Sequence, residues 1–394
     1  MKTILRIYFI IEEILHIISF PFLLLLSIFK PLRREIMPRL FPRSFEGKRI
    51  ILHGASIGEI KSLIPIGREI EKMGIPLLFT SATINGVNAA LKEGFPAQLF
   101  PLEFSISHFF FFRKLVPIAI IISERDYWMR FINGVKKRGG KVIIVNLSFS
   151  KKGFLKRRFF SLLKEMNPLF FVRNSDDRNF LLKLGFKDIR ILPSLKSLSI
   201  SPSESQKEKN ILLAVSVHGE EFKFIKSAFE MLRKRVDTKL VIAPRYMKKL
   251  DRLRASFSGF KVSLYSQGVE NFEVLIVDTY GVLNSFYSHA KAVFVGGSIA
   301  KRGCHDLLEP SSFRIPVLFG PNFWNQKEIA ELLIRENGGK VVKNAEEMVN
   351  VLISILKGDK NAPSGEKAFS VYQKISSSAR EGLKELLEVI SCLL

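Results

Sequence analysis

The chain has 394 residues, 47% hydrophobic and 25% charged, which excludes an intrinsically disordered protein and is long for a single core, so two domains are expected. Its formal net charge of +24, from 61 Lys and Arg against 37 Asp and Glu, points to an anionic partner: phospholipid, nucleic acid or a phosphorylated substrate. Two cysteines, Cys304 and Cys392, and six scattered histidines give neither a disulfide framework nor a metal-binding spacing, so no metal and no cofactor is expected.

Residues 1–29 are strongly apolar, most densely at 20–29, with Glu12, Glu13 and His16 interrupting the run. The basic segment 30–43 follows at once and places that flank on the cytoplasmic side of a membrane. No small-residue cleavage site follows, which disfavours a signal peptide. The stretch reads as a membrane anchor, one tilted helix or an interfacial one, against the blander reading of a core helix. From residue 49 the pattern is strand, turn, helix: apolar strands at 49–53, 77–80, 118–123, 142–145, 169–173 and 189–192, with helices at 60–73, 87–93 and 159–166. Residues 199–210, SISPSESQKEKN, are polar and aperiodic and read as a linker. The alternation then restarts with strands at 211–215, 239–242, 261–263, 274–277, 292–295 and 317–319, and a helical tail at 346–357 and 367–393. Buried strands alternating with helices predict an α/β protein with parallel, doubly wound sheets. The expected division is an anchor at 1–30, one Rossmann-like domain at 31–200 and another at 201–394.

Facing sheets of this kind bring the carboxyl ends of their strands to one cleft, so the turns after the strands hold the candidates. Glu59 closes HGASIGE at such a turn; it suits a general base toward a hydroxyl and equally a favourable acid in a helix first turn. Glu124 and Asp126 follow the 118–123 strand with the same two readings. His53 and His305 read more readily as hydrogen-bonded structural groups than as ligands. Lys196, just before the linker, is a cation within reach of the cleft. In SVHGEE, Ser216 and His218 stand where a strand enters a helix, a phosphate-friendly arrangement. APRY puts Pro244 and Arg245 at a strand end, where an Arg fork suits phosphate. DTYGVL places Gly281, Val282 and Leu283 at another such turn. The stretch 292–333 reads as a ligand cradle. Its glycine turn, with Gly297 and Ser298, aims N–H groups at an anion, and a helix start at Asp306, Leu307, Leu308 and Glu309 offers a positive end. An ordinary βαβ unit with tight turns is the alternative. The basic runs 136–138, 151–158 and 245–254 lack interleaved aromatics, so nucleic acid is not expected as a partner.

Taken together, HGASIGE, TSATING, SERDYW, LPSLKSL, SVHGEE, APRY, DTYGVL and GGSIAKRGCHDLLEP resemble, in order and along nearly the whole chain, the 3-deoxy-D-manno-octulosonic acid (Kdo) transferases of lipopolysaccharide synthesis. The resemblance implies the GT-B fold: two Rossmann-like doubly wound domains facing a cleft, behind an N-terminal membrane-anchor helix. It implies inverting transfer of Kdo from CMP-Kdo to a lipid A precursor (lipid IVA) at the cytoplasmic face of the inner membrane, against its phospholipid surface. The first domain would take the acceptor and the second the CMP-sugar. By this resemblance Glu59 matches the general base, and Lys196 with Glu124 and Asp126 the transition-state support. Pro244, Arg245, Gly281, Val282, Leu283, Asp306, Leu307, Leu308 and Glu309 match CMP-contacting segments. The sequence departs from the family pattern at Val282 (usually Glu), Asp306 (usually Asn), Tyr246 (usually His), RDYW at 125–128 (usually Thr-Glu-Leu-Trp) and Met129 (usually Pro). Two other readings stand beside it. One is a nucleotide-sugar 2-epimerase-like isomerase, disfavoured because a soluble substrate needs no anchor. The other is a non-catalytic or changed-donor relative, which Val282 and Asp306 keep open.

Overall fold

The computed structural model describes every residue except Met1, Arg125, residues 148–162, Ser194, residues 201–210, Glu270 and Tyr280. The expected linker, the first part of the expected 159–166 helix and the basic run 151–158 therefore lie outside the described residues. The chain forms two compact units, Met1–Ser199 with Ser376–Leu394, and Ile200–Ile375.

The first unit is built on β1 (Gly47–Gly54), β2 (Leu77–Ser81), β3 (Ala97–Leu99), β4 (Leu115–Ser123), β5 (Lys141–Leu147), β6 (Leu169–Val172) and β7 (Ile189–Ile191). They pair in the order β3-β2-β1-β4-β5-β6-β7, all parallel. The period-2 geometry of a strand explains the unbroken apolar runs. Ile50, Leu52 and Ile121 enter one core, while Ile51, Ile120 and Ile122 enter the core on the opposite face. Each such fully buried side chain contributes about 1.5–3 kcal/mol relative to exposure. Helix Ile57–Lys72 follows β1, started by Ser56, whose side chain accepts the Glu59 N–H. Gly67 within it lets the helix lie against the Phe79 ring, which a Cβ there would approach to 2.9 Å.

The second unit carries β8 (Ile211–Val217), β9 (Lys239–Pro244), β10 (Val262–Leu264), β11 (Val274–Ile276), β12 (Ala290–Val295), β13 (Val317–Phe319) and β14 (Gly339–Val341) in the order β10-β11-β9-β8-β12-β13-β14, again all parallel. In each sheet the strand order reverses about one pair, β1 with β4 and β8 with β12, and the crevice at such a switch point is where open α/β sheets bind ligands.

The end of the chain departs from the sequence expectation. Residues 376–394 were assigned with 201–394 to the second domain, but they belong to the first unit. The cause is helix Gly365–Ser391: Ala368, Val371 and Ile375 sit in the second unit's core, and Leu383, Leu386 and Ile390 in the first unit's. One amphipathic helix, long enough at about 1.5 Å per residue to reach about 40 Å, serves both.

Candidate active site

At the β1/β4 switch point the structure gathers three carboxylates. Glu59 is the third residue of helix Ile57–Lys72. Its Oε2 accepts the Ala55 N–H at 2.8 Å and its Oε1 the Ser56 hydroxyl at 3.1 Å, while Ser56 Oγ accepts the Glu59 N–H at 3.4 Å. Ser56 thus caps the helix and Glu59 braces the turn before it, so Glu59 fills the helix-start role that the sequence allowed it. Its carboxyl is nevertheless raised above the usual range. Burial drives the shift, Glu124 and Asp126 add to it, and the Ala55 and Ser56 hydrogen bonds oppose it. A carboxylate so tuned is a better proton acceptor near neutrality than an ordinary one.

Glu124 leaves β4 at φ +63, with its N–H bonded to the Val145 carbonyl at 2.9 Å and its Oε1 to Arg173 Nη2 at 2.9 Å. Asp126 Oδ2 lies 2.8 Å from Nε2 of His53, a fully buried ring on β1 whose Nδ1 faces Thr80 Oγ1 at 3.0 Å and the Thr80 carbonyl at 3.1 Å. Burial works against the Asp126 charge, but the His53 bond and charge, with Arg39 nearby, hold this carboxyl below the ordinary range. His53 is thus the structural histidine its sequence suggested, and it fastens a carboxylate. Beneath them, Ser62 Oγ donates to the Glu59 carbonyl at 2.6 Å and accepts from Asn146 Nδ2 at 3.0 Å, tying β5 to the helix. The Lys196 side chain lies outside the described residues; its backbone belongs to the 3-10 turn Leu195–Ser199.

At the β8/β12 switch point, sequence reasoning needs a correction. The glycine turn after β12 was expected to aim its N–H groups at a ligand anion. They are already taken by the chain's own carboxylate. Glu221, fully buried, accepts His218 N–H at 2.9 Å and Gly297 N–H at 2.8 Å on Oε2, and Ile299 N–H at 2.9 Å and Ala300 N–H at 3.3 Å on Oε1. The glycines serve this packing: a Cβ on Gly296 would lie 2.5 Å from the Ser216 carbonyl, and one on Gly297 2.3 Å from the Gly303 carbonyl. Ser298 is likewise committed, donating to the Val295 carbonyl at 2.7 Å and accepting Gly320 N–H at 2.8 Å. The phosphate-favouring helix start at 306–309 is also corrected. Helix Leu308–Ser312 has five residues, and Asp306 Oδ1 accepts the Leu308 and Glu309 N–H groups at 2.9 and 3.3 Å. Asp306 is therefore a cap, and the side chains of Leu307 and Leu308 are core.

What remains for an anion is a group the sequence brought only half into view. His218 Nε2 lies 2.9 Å from His305 Nε2, with the rings 8° from parallel planes and the Tyr246 ring edge-on to His218. Burial first, then the Arg245 and His218 charges, push His305 down to about 4. His218 is lowered too, chiefly by burial. The pair is neutral at pH 7 and shares one N–H between two nitrogens. Arg245, exposed, has its N–H on the Val217 carbonyl at 3.0 Å and follows Pro244, the last residue of β9, so its charge stands beside both imidazoles. Ser216 is half-buried at φ +53, where the β8/β9 register shifts. Gly281 adopts φ +88, while Val282 and Leu283 pack on the core. His305 was passed over as a site residue because its partner is 87 positions away.

Comparison with known proteins points to one family. A family model described as 3-deoxy-D-manno-octulosonic-acid transferase (kdotransferase) matches residues 33–198. The chain is 29% identical over 364 residues to the 3-deoxy-D-manno-octulosonic acid transferase of Aquifex aeolicus, covering 89% of this chain and 99% of that one. It is 28% identical over 381 residues to that of Chlamydia trachomatis, covering 88% and 87%. Among solved structures, the UDP-GlcNAc 2-epimerase of Neisseria meningitidis superposes with a TM-score of 0.62 at 12% identity, covering 87% of this chain and 100% of that one. A glycosyltransferase from Rickettsia africae gives 0.60 at 12%, covering 89% and 99%. At such identities the structural likeness establishes the fold alone, the two-Rossmann GT-B architecture.

Proposed function

We propose that this chain, a glycosyltransferase of the 3-deoxy-D-manno-octulosonic acid (Kdo) transferase family, moves Kdo from CMP-Kdo onto a lipid A precursor, lipid IVA, with inversion. The observation that carries the reading is Glu59, a carboxylate raised by burial and held in fixed orientation at the first sheet's switch point. In the proposed step Glu59 takes the proton of an acceptor sugar hydroxyl while that oxygen forms its bond to the anomeric carbon of Kdo. The bond from that carbon to the CMP phosphate oxygen breaks on the opposite face, and CMP leaves with the electron pair. Side-chain cations, with no metal ion or other cofactor, answer the charge that develops on the leaving phosphate: Arg245 beside the histidine pair and, by family resemblance, Lys196. Glu124 and Asp126, anchored by Arg173 and His53, keep the Glu59 surroundings acidic and so its carboxyl raised.

The protein is proposed to work from the cytoplasmic side of the inner membrane, where its positive charge favours an anionic lipid surface. The test is transfer from CMP-Kdo to tetra-acylated lipid A precursor, followed by mass spectrometry in the presence of EDTA. A gain of one or more Kdo units is expected with wild type, and a rate lower by about 10²–10⁴ with Glu59→Gln. An unchanged rate in that variant overturns the assignment of the base, and loss of transfer on chelation overturns the metal-free step.

A further inference from the structure

Helix Lys2–Leu26 is long and apolar enough over Ile7–Leu26 to cross a bilayer, yet its middle is fastened sideways to the first unit. Phe9, Glu12, Glu13, His16 and Phe20 fall within about 100° of the helix circumference and form the fastened stripe. At its centre Arg130, on helix Met129–Lys137, reaches Glu12 Oε2 with Nε at 2.9 Å and Glu13 Oε2 with Nη1 at 2.6 Å. The same guanidinium donates to Ser105 Oγ at 2.8 Å and to the Phe9 carbonyl at 3.1 Å, and Ser105 Oγ donates on to Glu13 at 2.7 Å. Further along, the His16 ring stacks on Phe104 with centroids 4.4 Å apart, and Phe20 meets the same ring at 6.0 Å. Arg130 and Glu12 are only 15% and 13% exposed at their side chains. The opposite face is bare: Ile7, Ile10, Ile14, Ile17 and Phe22 are 51% to 67% exposed. Phe109, on the neighbouring helix Ser105–Phe112, is 63% exposed and extends the apolar surface.

These two faces exclude a spanning orientation. The hydrocarbon core is about 30 Å thick, so a spanning helix of this length puts residues 9–20 near the bilayer centre. The ion pairs of Arg130 with Glu12 and Glu13, and the basic end of helix Met129–Lys137, would have to enter hydrocarbon with them, where ionised side chains are costly. We propose that helix Lys2–Leu26 lies in the plane of a phospholipid bilayer, its bare face sunk about 5–10 Å into the boundary between headgroups and acyl chains, with the Arg130 network fixing the first unit on top. The exposed Lys30, Arg33 and Arg34 begin the next helix, Lys30–Leu40, and meet anionic headgroups. This choice of occupant follows from the charge: a second copy of a chain carrying +24 would bring like charges together around the patch.

The inference rests on the proposed membrane association, and the test separates the two. The full chain is floated with vesicles of phosphatidylethanolamine and phosphatidylglycerol, 70:30, where association is expected. Protein that stays at the bottom, or forms a dimer that shields the helix, overturns both association and orientation. Thr3→Cys and Lys30→Cys, each in a Cys392→Ser chain, are then treated with membrane-impermeant maleimide in inner-membrane vesicles whose cytoplasmic face is outward. In-plane seating labels both sites without permeabilisation. Labelling of Lys30→Cys alone, with Thr3→Cys reacting only after permeabilisation, overturns the orientation and leaves association and transfer chemistry standing.

Discussion

Glu59 does two jobs at once, and its substitutions separate them. Glu59→Ala removes both the base and the acceptor of the Ala55 N–H, a hydrogen bond worth about 0.5–1.5 kcal/mol of stability. Glu59→Gln keeps the size and the acceptor oxygen, so its melting temperature is expected near wild type while kcat falls by about 10²–10⁴. Because the base acts when deprotonated and its carboxyl is raised, activity should be full at neutral pH and fall on acidification earlier than an ordinary Glu would allow; a pH–rate profile reads this directly. Glu221 has the opposite character: it touches no substrate in the proposed step, and it satisfies four backbone N–H groups. Glu221→Ala leaves them buried without an acceptor, at about 1–3 kcal/mol for a lost partner, and a fall of several kcal/mol in unfolding free energy is expected by urea titration. The histidine pair adds a pH term. His305, held near 4, binds protons less readily than the imidazole of an unfolded chain near 6.5. Stability therefore drops as pH falls from 6.5 toward 4, and His305→Gln should flatten that part of a melting-temperature profile.

At the scale of elements, the parallel sheets were legible because strands buried on both faces read as unbroken apolar runs, IAIII at 118–122 above all. Two helix starts were placed three residues late: the helices expected from 60 and 87 begin at Ile57 and Ile84, after the caps Ser56 and Thr83, whose Oγ1 accepts Gly86 N–H at 3.1 Å. The edge strands β3 and β14 were missed because Gln98 and Lys340 stand in their middles and leave no apolar run, unlike the equally short VLF of β13. Glu59, Glu124 and Asp126 were legible as a set because each follows a strand at the switch point. The Glu221 nest and the His218–His305 pair were not, since they join residues 76 to 87 apart, and a glycine turn looks the same from sequence whether it holds a ligand anion or the chain's own. The fastening of the N-terminal helix was hidden for the same reason, although Glu12, Glu13 and His16 were visible as interruptions. Arg130→Met should release that fastening. Such a variant is expected to keep its rate on detergent-dispersed acceptor and to lose several-fold on acceptor embedded in vesicles; equal loss in both settings would point to a general packing defect.

The molecule as a whole carries a pair of seven-stranded sheets, each with its own switch point, and a closing helix that is part of both cores. That helix makes the two units unequal in one respect. The second is continuous in sequence, while the first is interrupted by all of it. Leu383, Leu386 and Ile390 together contribute about 5–9 kcal/mol of burial at about 1.5–3 kcal/mol each, as much as the net stability of many domains. A ribosome releases this chain from its N-terminus, so the first unit emerges early but waits for its last helix until the second has been made. Its β1–β7 sheet must spend that interval with one apolar face incompletely covered, dependent on chaperones or on an early hold on the membrane by residues 2–26. Released chains truncated after residue 375 should accordingly be cut by protease within the first unit and spared in the second, and chains running to residue 394 should be protected in both.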